Sequence, residues 1–288
     1  MFVKNVQKIG TRGVIFTFED DIAVYLIGAD RYWFLCDTHL GPVSMGYIQQ
    51  YTASLADGRP TIVFNSHSDW DHVWGNCAFP ESIIIGQELC RQRLSEIGRY
   101  ELVELAGYHQ GSVELVLPNV TFSDKMAFAA EQVEFWHAPG HTSDSAVCFD
   151  KKDAVLFVGD LVEHPIPYLD CDDLALYITT LGQLKHWPAK VMVSAHSGII
   201  TRELIDNNIA YIRAMLTGQP VNPAVYRECP AVHTFNVNNR LLLQYEKTAR
   251  EKLGDGFDYA VFRSNFGDLK AIGREELQTA WERYYRRW

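Results

Sequence analysis

The chain has 288 residues, 47% of them hydrophobic, enough to enclose one large core and to leave room for a second domain. A formal net charge of −10 argues against a general binder of nucleic acid or of acidic membranes. Six cysteines (Cys36, Cys77, Cys90, Cys148, Cys171 and Cys229) lie scattered with no C-x-x-C pair, the pattern of a reducing, cytoplasmic compartment.

The first ten residues, Met1 to Gly10, hold no continuous apolar run of the kind a secretory signal needs. No stretch approaches the length of a membrane span. Three short strands are predicted at 13–18, 22–27 and 32–37, with turns at Glu19-Asp20-Asp21 and Gly28-Ala29-Asp30. A helix is predicted over 43–56, ended by Asp57-Gly58 and Pro60. Thr61-Ile62-Val63-Phe64-Asn65 reads as a buried strand. Residues 86–108 read as a helix whose apolar set is Leu89, Leu94, Ile97, Leu102 and Leu105. Strands are expected near 113–117, 132–137, 145–149 and 154–159, then a helix over 170–186 and a strand over 190–195. Cys36 and Cys148 fall in apolar strand-like runs and read as buried thiols. Such alternation suits two sheets sandwiched by helices.

After Thr201 the character changes. Residues 201–217, 237–253 and 274–288 are amphipathic helix candidates. The last carries Leu277, Trp281, Tyr284 and Trp288 on one stripe, which reads as packing on the chain's own core. Its basic end, Arg283 with Arg286-Arg287, reads as a solvated face. This tail is a candidate cap, a homodimerisation element, or additional packing.

The chemistry concentrates in His67-Ser68-Asp69-Trp70-Asp71-His72, where four potential metal ligands fall within six residues just after a strand. Carboxylates and imidazoles without a thiolate suit zinc, iron or manganese rather than a structural zinc site. Three later runs repeat the theme of a His or Asp closing an apolar stretch: His137-Ala138-Pro139-Gly140-His141, Leu156-Phe157-Val158-Gly159-Asp160, and Val191 to His196.

These four motifs together resemble the metallo-β-lactamase-fold superfamily, whose signature is H-x-H-x-D-H, a His in a P-G-H-T segment, an Asp after a strand, and a late His. The resemblance covers about residues 13–200 and implies an α/β fold, the αββα four-layer sandwich, with a helical C-terminal extension. It places a metal-binding domain over 1–200 and the extension over 201–288, packed on the same domain. It implies that His67, Asp69 and His141 hold one metal, that Asp71, His72 and His196 hold a second, and that Asp160 bridges them. Cys36-Asp37-Thr38-His39-Leu40-Gly41 resembles the family's early D-x-G-type turn.

The chain departs from the signature at Asp69, giving H-x-D-x-D-H. Flavodi-iron oxygen reductases carry a Glu there, and some phosphodiester- and phosphorylcholine-cleaving members carry an Asp. A carboxylate in place of an imidazole adds a negative charge, lowers the Lewis acidity of the first metal, and favours harder ions. The expected activity is that of a metal-dependent hydrolase with two divalent ions (zinc, iron or manganese). These would ionise a bound water to attack a small ester, lactone, thioester or phosphodiester. Asp71 can also accept or deliver the proton. A di-iron redox protein without a flavodoxin domain is the alternative, and a non-catalytic metal sensor a third. His39, His164 and Tyr168 are candidate substrate contacts. His137 reads as a neighbour of His141, Trp70 and Trp74 as packing residues, and His109, His186 and His233 as non-ligands. The expected partner is a small molecule, with neither nucleic acid nor membrane involved.

Overall fold

The computed structural model describes residues 2–287. The chain forms two compact units. The first comprises Met1–Pro139, Asp144–Val162 and His186–Thr201; the second comprises Gly140–Ser143, Glu163–Lys185 and Arg202–Trp288.

The first unit contains two mixed sheets. One has seven strands in chain order: β1 (Val3–Ile9), β2 (Gly13–Phe18), β3 (Ala23–Gly28), β4 (Trp33–Cys36), β5 (Thr61–Phe64), β6 (Ile83–Gln87) and β7 (Val120–Phe122). β1 to β4 pair antiparallel, and β4 to β7 pair parallel. The other sheet contains β8 (Lys125–Phe128), β9 (Val133–His137), β10 (Ala146–Asp150), β11 (Val155–Phe157), β12 (Val191–Ser194) and β13 (Gly198–Ile200), lying side by side in numerical order. Within it only β11 and β12 run parallel.

A parallel strand buried on both faces must be apolar throughout, and β4 (Trp-Phe-Leu-Cys) is. Phe34 and Cys36 enter the core between the sheets, where Phe64 stacks on Phe135 at 4.4 Å. Leu35 and Val63 point the other way, onto Met45 and Ile48 of α1 (Pro42–Ser54). α2 (Trp70–Val73) and α3 (Glu88–Glu104) pack through Val73, Trp74, Cys90 and Leu94. Two mixed sheets with flanking helices agree with the expected αββα sandwich. Cys36 and Cys148 are buried free thiols in the inter-sheet core, as expected. Polar ties also join the sheets: Arg12 Nε donates to both carboxylate oxygens of Asp150 (3.2 and 3.1 Å), and Thr11 Oγ1 donates to Asp153 (2.8 Å).

The second unit holds α4 (Leu174–Lys185), α5 (Arg202–Thr217), α6 (Pro223–Tyr226), α7 (Pro230–Leu253), α8 (Tyr259–Arg263) and α9 (Arg274–Tyr285). Its core gathers Leu242 and Ala249 of α7 with Phe262, Phe266, Leu277 and Tyr284. Trp281 stacks on Tyr245 at 4.6 Å, so the stripe on the last helix packs inward as expected; Trp288 lies outside the described residues. Among the described residues no helix is long and apolar enough to cross a membrane.

The expected strand at 113–117 does not form. Val113, Leu115 and Leu117 alternate as in a strand, but they cover the cluster beneath α3 as an irregular segment. The helix read from residue 86 begins at Glu88, because Ile83–Gln87 completes β6 and Gln87 caps the helix by accepting from Leu89 N. α7 starts at Pro230 rather than 237, with proline in the first turn, where its missing N–H costs nothing.

Candidate metal centre

The ligand candidates of the first unit stand at C-terminal strand ends. His67 and Asp69 follow β5. Asp71 and His72 lie on α2, Asp160 follows β11, and His196 follows β12. Asp69 occupies the N-cap position of α2 in extended conformation, yet its carboxylate caps no backbone N–H. Gly159 brings Asp160 in close. Its φ is +53°, and a Cβ there would stand 2.6 Å from Ser66 Oγ. Gly75 lets the turn after β4 lie against α2, since a Cβ would run into the Thr38 carbonyl.

Asp160 is the hub. Its Oδ2 lies 3.2 Å from both His72 Nε2 and His196 Nε2, and 3.8 Å from His67 Nε2. Asp71 Oδ2 is 3.2 Å from His196 Nε2 and 3.7 Å from His72 Nε2, while Asp69 Oδ2 is 3.5 Å from His67 Nε2. Two sets of donor atoms, one from His67, His72 and Asp160 and one from Asp71, His72 and His196, each lie within 4.8 Å of one another.

The tautomers follow from the atoms behind. His72 Nδ1 is 2.9 Å from Asp37 Oδ2, a carboxylate that can only accept, so Nδ1 carries the proton and Nε2 the lone pair. Ser66 Oγ donates to the same oxygen at 2.7 Å and accepts from His67 Nδ1 at 2.9 Å, which orients His67 likewise. Ser66 N donates to Asp37 Oδ1 at 2.7 Å. Asp37 thus orients two candidate ligands, His72 directly and His67 through Ser66, with one carboxylate. It is buried and adopts φ +63°, a conformation that Asp tolerates better than most residues.

His72 Nε2 is buried without a hydrogen-bond partner among the described residues. Burial opposes ionisation in this cluster, but the opposed charges prevail. The Asp160 carboxyl sits well below the usual carboxylate range beside His196 and His72. His72 and His196 are drawn well above the ordinary imidazole value by Asp160 and Asp71. Protons here do what a cation would do. A buried set of imidazole nitrogens and carboxylates turned toward one another, whose charges only protons now balance, fits a divalent ion.

His141 belongs to the second unit. Its Nδ1 donates to the Tyr168 carbonyl (3.0 Å), which makes Nε2 the acceptor nitrogen of the neutral ring, and its own carbonyl accepts from Asp170 N at 3.0 Å. Its place among the ligands rests on the family signature. Tyr168 lies edge-on to Phe235 (5.1 Å) with Lys270 over its ring, and His164 is exposed beside a cavity lined by Tyr211 and Val225. His39 is fully buried, stacked on Phe18 at 4.1 Å, with Nε2 3.0 Å from Asp20. That position secures the turn after β4. Trp70 packs on Trp74 and Tyr108, each at 5.0 Å, and His109 lies edge-on to Trp74. His137 closes β9, and His233 bonds Tyr211.

Three residues at the site carried no role in the sequence reading. Asp37 and Ser66 orient histidines. Arg93 of α3 places Nη2 3.9 Å from Asp69 Oδ1. Asp37 closes a strand as the ligands do, and that was the available signal.

Residues 18–196 match the Metallo-beta-lactamase superfamily. The chain belongs to that superfamily. A metallo-beta-lactamase from Pontibacter korlensis aligns at TM-score 0.58 and 19% identity, over 73% of this chain and 98% of that one. The structure of TMB-1 aligns at 0.58 and 14%, over 75% and 100%. At these identities the likeness is one of fold. A curated relative described as putative transcription factor avaE, from Aspergillus versicolor, is 31% identical over 147 residues. That segment is 45% of this chain and 42% of that protein, so the chain spans less than half of its length. Superfamily members typically bind divalent metals, and the His and Asp groups described above are the candidate ligands here.

Proposed function

We propose that this chain is a binuclear metal-dependent hydrolase. His67, Asp69 and His141 take one ion, Asp71, His72 and His196 take the other, and Asp160 serves both. The observation that supports the reading is that one Asp160 oxygen faces His72 and His196, candidates for one ion, at 3.2 Å and His67, a candidate for the other, at 3.8 Å. Divalent ions there supply Lewis acidity and a water ionised near neutral pH. The chain's own residues do the rest. Asp37 and Ser66 hold His72 and His67 in the coordinating tautomer, and Asp71, beside His196, accepts or returns the proton of bond cleavage. His67 and His72 are buried, whereas the His196 side chain keeps 27% of its exposure and that of Asp69 23%, so substrate approaches over that edge.

The substrate class is a small ester, lactone, thioester or phosphodiester, and the ions are zinc, iron or manganese. Elemental analysis of protein purified without added metal, followed by a chromogenic panel of those four classes, tests the reading. Two ions per chain with turnover of one class supports it. At most one ion after reconstitution with each metal, or turnover unaffected by chelation, overturns it.

A further inference from the structure

The helical unit contains a cavity of about 650 Å³, within the range of small-molecule sites. The last turn of α5, the following Gly218–Val221 segment, α7 and the start of α9 line it. Its apolar wall is aliphatic (Leu216, Val221, Val237 and Leu241 among others), with no Phe, Tyr or Trp. Its lining also contains no Asp or Glu, although the chain has 36 acidic residues, but it does include two arginines, Arg240 and Arg274.

Among the described residues neither arginine meets a carboxylate. Arg240 donates through Nη1 to the Met215 carbonyl at 2.9 Å, which fixes the guanidinium at the wall without neutralising it. Arg274 opens α9, where a cation opposes the helix dipole, and Glu275 and Glu276 behind it suit that end better. Among the described residues neither arginine forms an ion pair, in a chain of net charge −10. His233 is also held on the cavity wall, its Nδ1 2.9 Å from Tyr211 Oη, which accepts from Asn236 Nδ2 at 3.0 Å. Burial holds that imidazole below its ordinary value, so it stays neutral.

We propose that this cavity binds an aliphatic carboxylate, its head group on Arg240 and Arg274 and its hydrocarbon chain along Leu216, Val221, Val237 and Leu241. Two guanidinium groups without an acid partner ask for an anion. The aliphatic wall asks for a chain rather than a flat ring. The site uses none of the metal ligands, so it stands or falls independently of the hydrolase reading.

Isothermal titration of the full chain with decanoate tests the proposal, with decanol and acetate as the separate parts of the probe. One saturable site per chain is expected, with decanol and acetate each at least about tenfold weaker. Arg274→Gln, an exposed position that holds no other group, is expected to weaken decanoate about tenfold and leave the thermal midpoint unchanged. Arg240→Gln is expected to weaken it further. Absence of saturable decanoate binding overturns the proposal, and so does undiminished binding in Arg274→Gln. Decanol binding as tightly as decanoate removes the anion site, and acetate doing so removes the chain site.

Discussion

The Arg93 guanidinium on α3 stands 3.9 Å from the carboxylate of Asp69. Charge counting from sequence gives the first metal position one more negative charge than the usual imidazole would. Arg93 returns a positive one. At this separation the attraction is about 4 kcal/mol in an effective dielectric of roughly 20. With both side chains about a quarter exposed, the net coupling falls to about 1 kcal/mol. The preference for hard ions inferred from Asp69 alone is therefore weakened by its neighbour.

Two substitutions should move metal choice in opposite directions. Asp69→His removes the negative charge and shifts preference toward zinc. Arg93→Gln removes its counter-charge and shifts preference toward iron or manganese, by about fivefold for the coupling above. Competitive loading from an equimolar mixture, read by elemental analysis, gives both ratios. Shifts of the same sign would mean that geometry rather than charge sets the choice.

Asp160→Ala should lose metal at both positions, because its Oδ2 faces His72 and His196 of one position at 3.2 Å and His67 of the other at 3.8 Å. In the parent, metal should raise the thermal midpoint, since ligand binding to the folded state adds to folding free energy. In the variant, loaded and chelated samples should melt together. A retained gap would mean that Asp160 does not serve both ions.

The pH dependence has a definite sign. His72 and His196 are raised above their ordinary value in the metal-free fold. Their contribution to stability is therefore complete below the unfolded-state value near 6.5 and is lost as pH rises through the raised folded-state values. Metal must displace those protons, so its affinity climbs over the same interval. The midpoint gap between loaded and chelated protein should widen as pH rises from the unfolded-state value near 6.5 through the raised folded-state values. Scanning calorimetry at stepped pH measures it, and a constant gap would contradict the assignment of these two histidines.

Arg12→Met should be among the most damaging single changes in the first unit. The Asp150 side chain is fully buried and receives Arg12 through both carboxylate oxygens. Removing the partner strands a buried charge, at about 3–5 kcal/mol. Urea unfolding should show it, and Asp150→Asn in the Arg12→Met background should recover part of the loss.

The ligand cluster was legible because its residues are contiguous and each later ligand ends an apolar run. The buried strand before His67 and the helices from Arg202 and Arg274 also follow from local pattern. β1 was not legible, since five of its seven residues are exposed and it forms an edge of its sheet, with no alternation to read. Val113, Leu115 and Leu117 misled for the opposite reason. They alternate, yet Leu115 serves as a lid on Gly98 of α3, 2.8 Å from where a Cβ would stand. Asp37 offers a local signal, since it closes a strand as the candidate ligands do, but Ser66 and Arg93 gain their places only from juxtaposition of segments remote in sequence.

The parallel pairing of β11 with β12 bears on how the chain assembles. Parallel neighbours need a long crossover, and distant contacts form slowly because loop closure must precede them. Asp160 and His196 follow these two strands, while His67 and His72 come from the other sheet. A chain still emerging or still searching for register has only the 67–72 cluster to offer a cation. If these residues hold metal as proposed, full coordination must wait for β11 and β12 to pair, and the rate of tight metal uptake during refolding should report that pairing rather than diffusion of the ion.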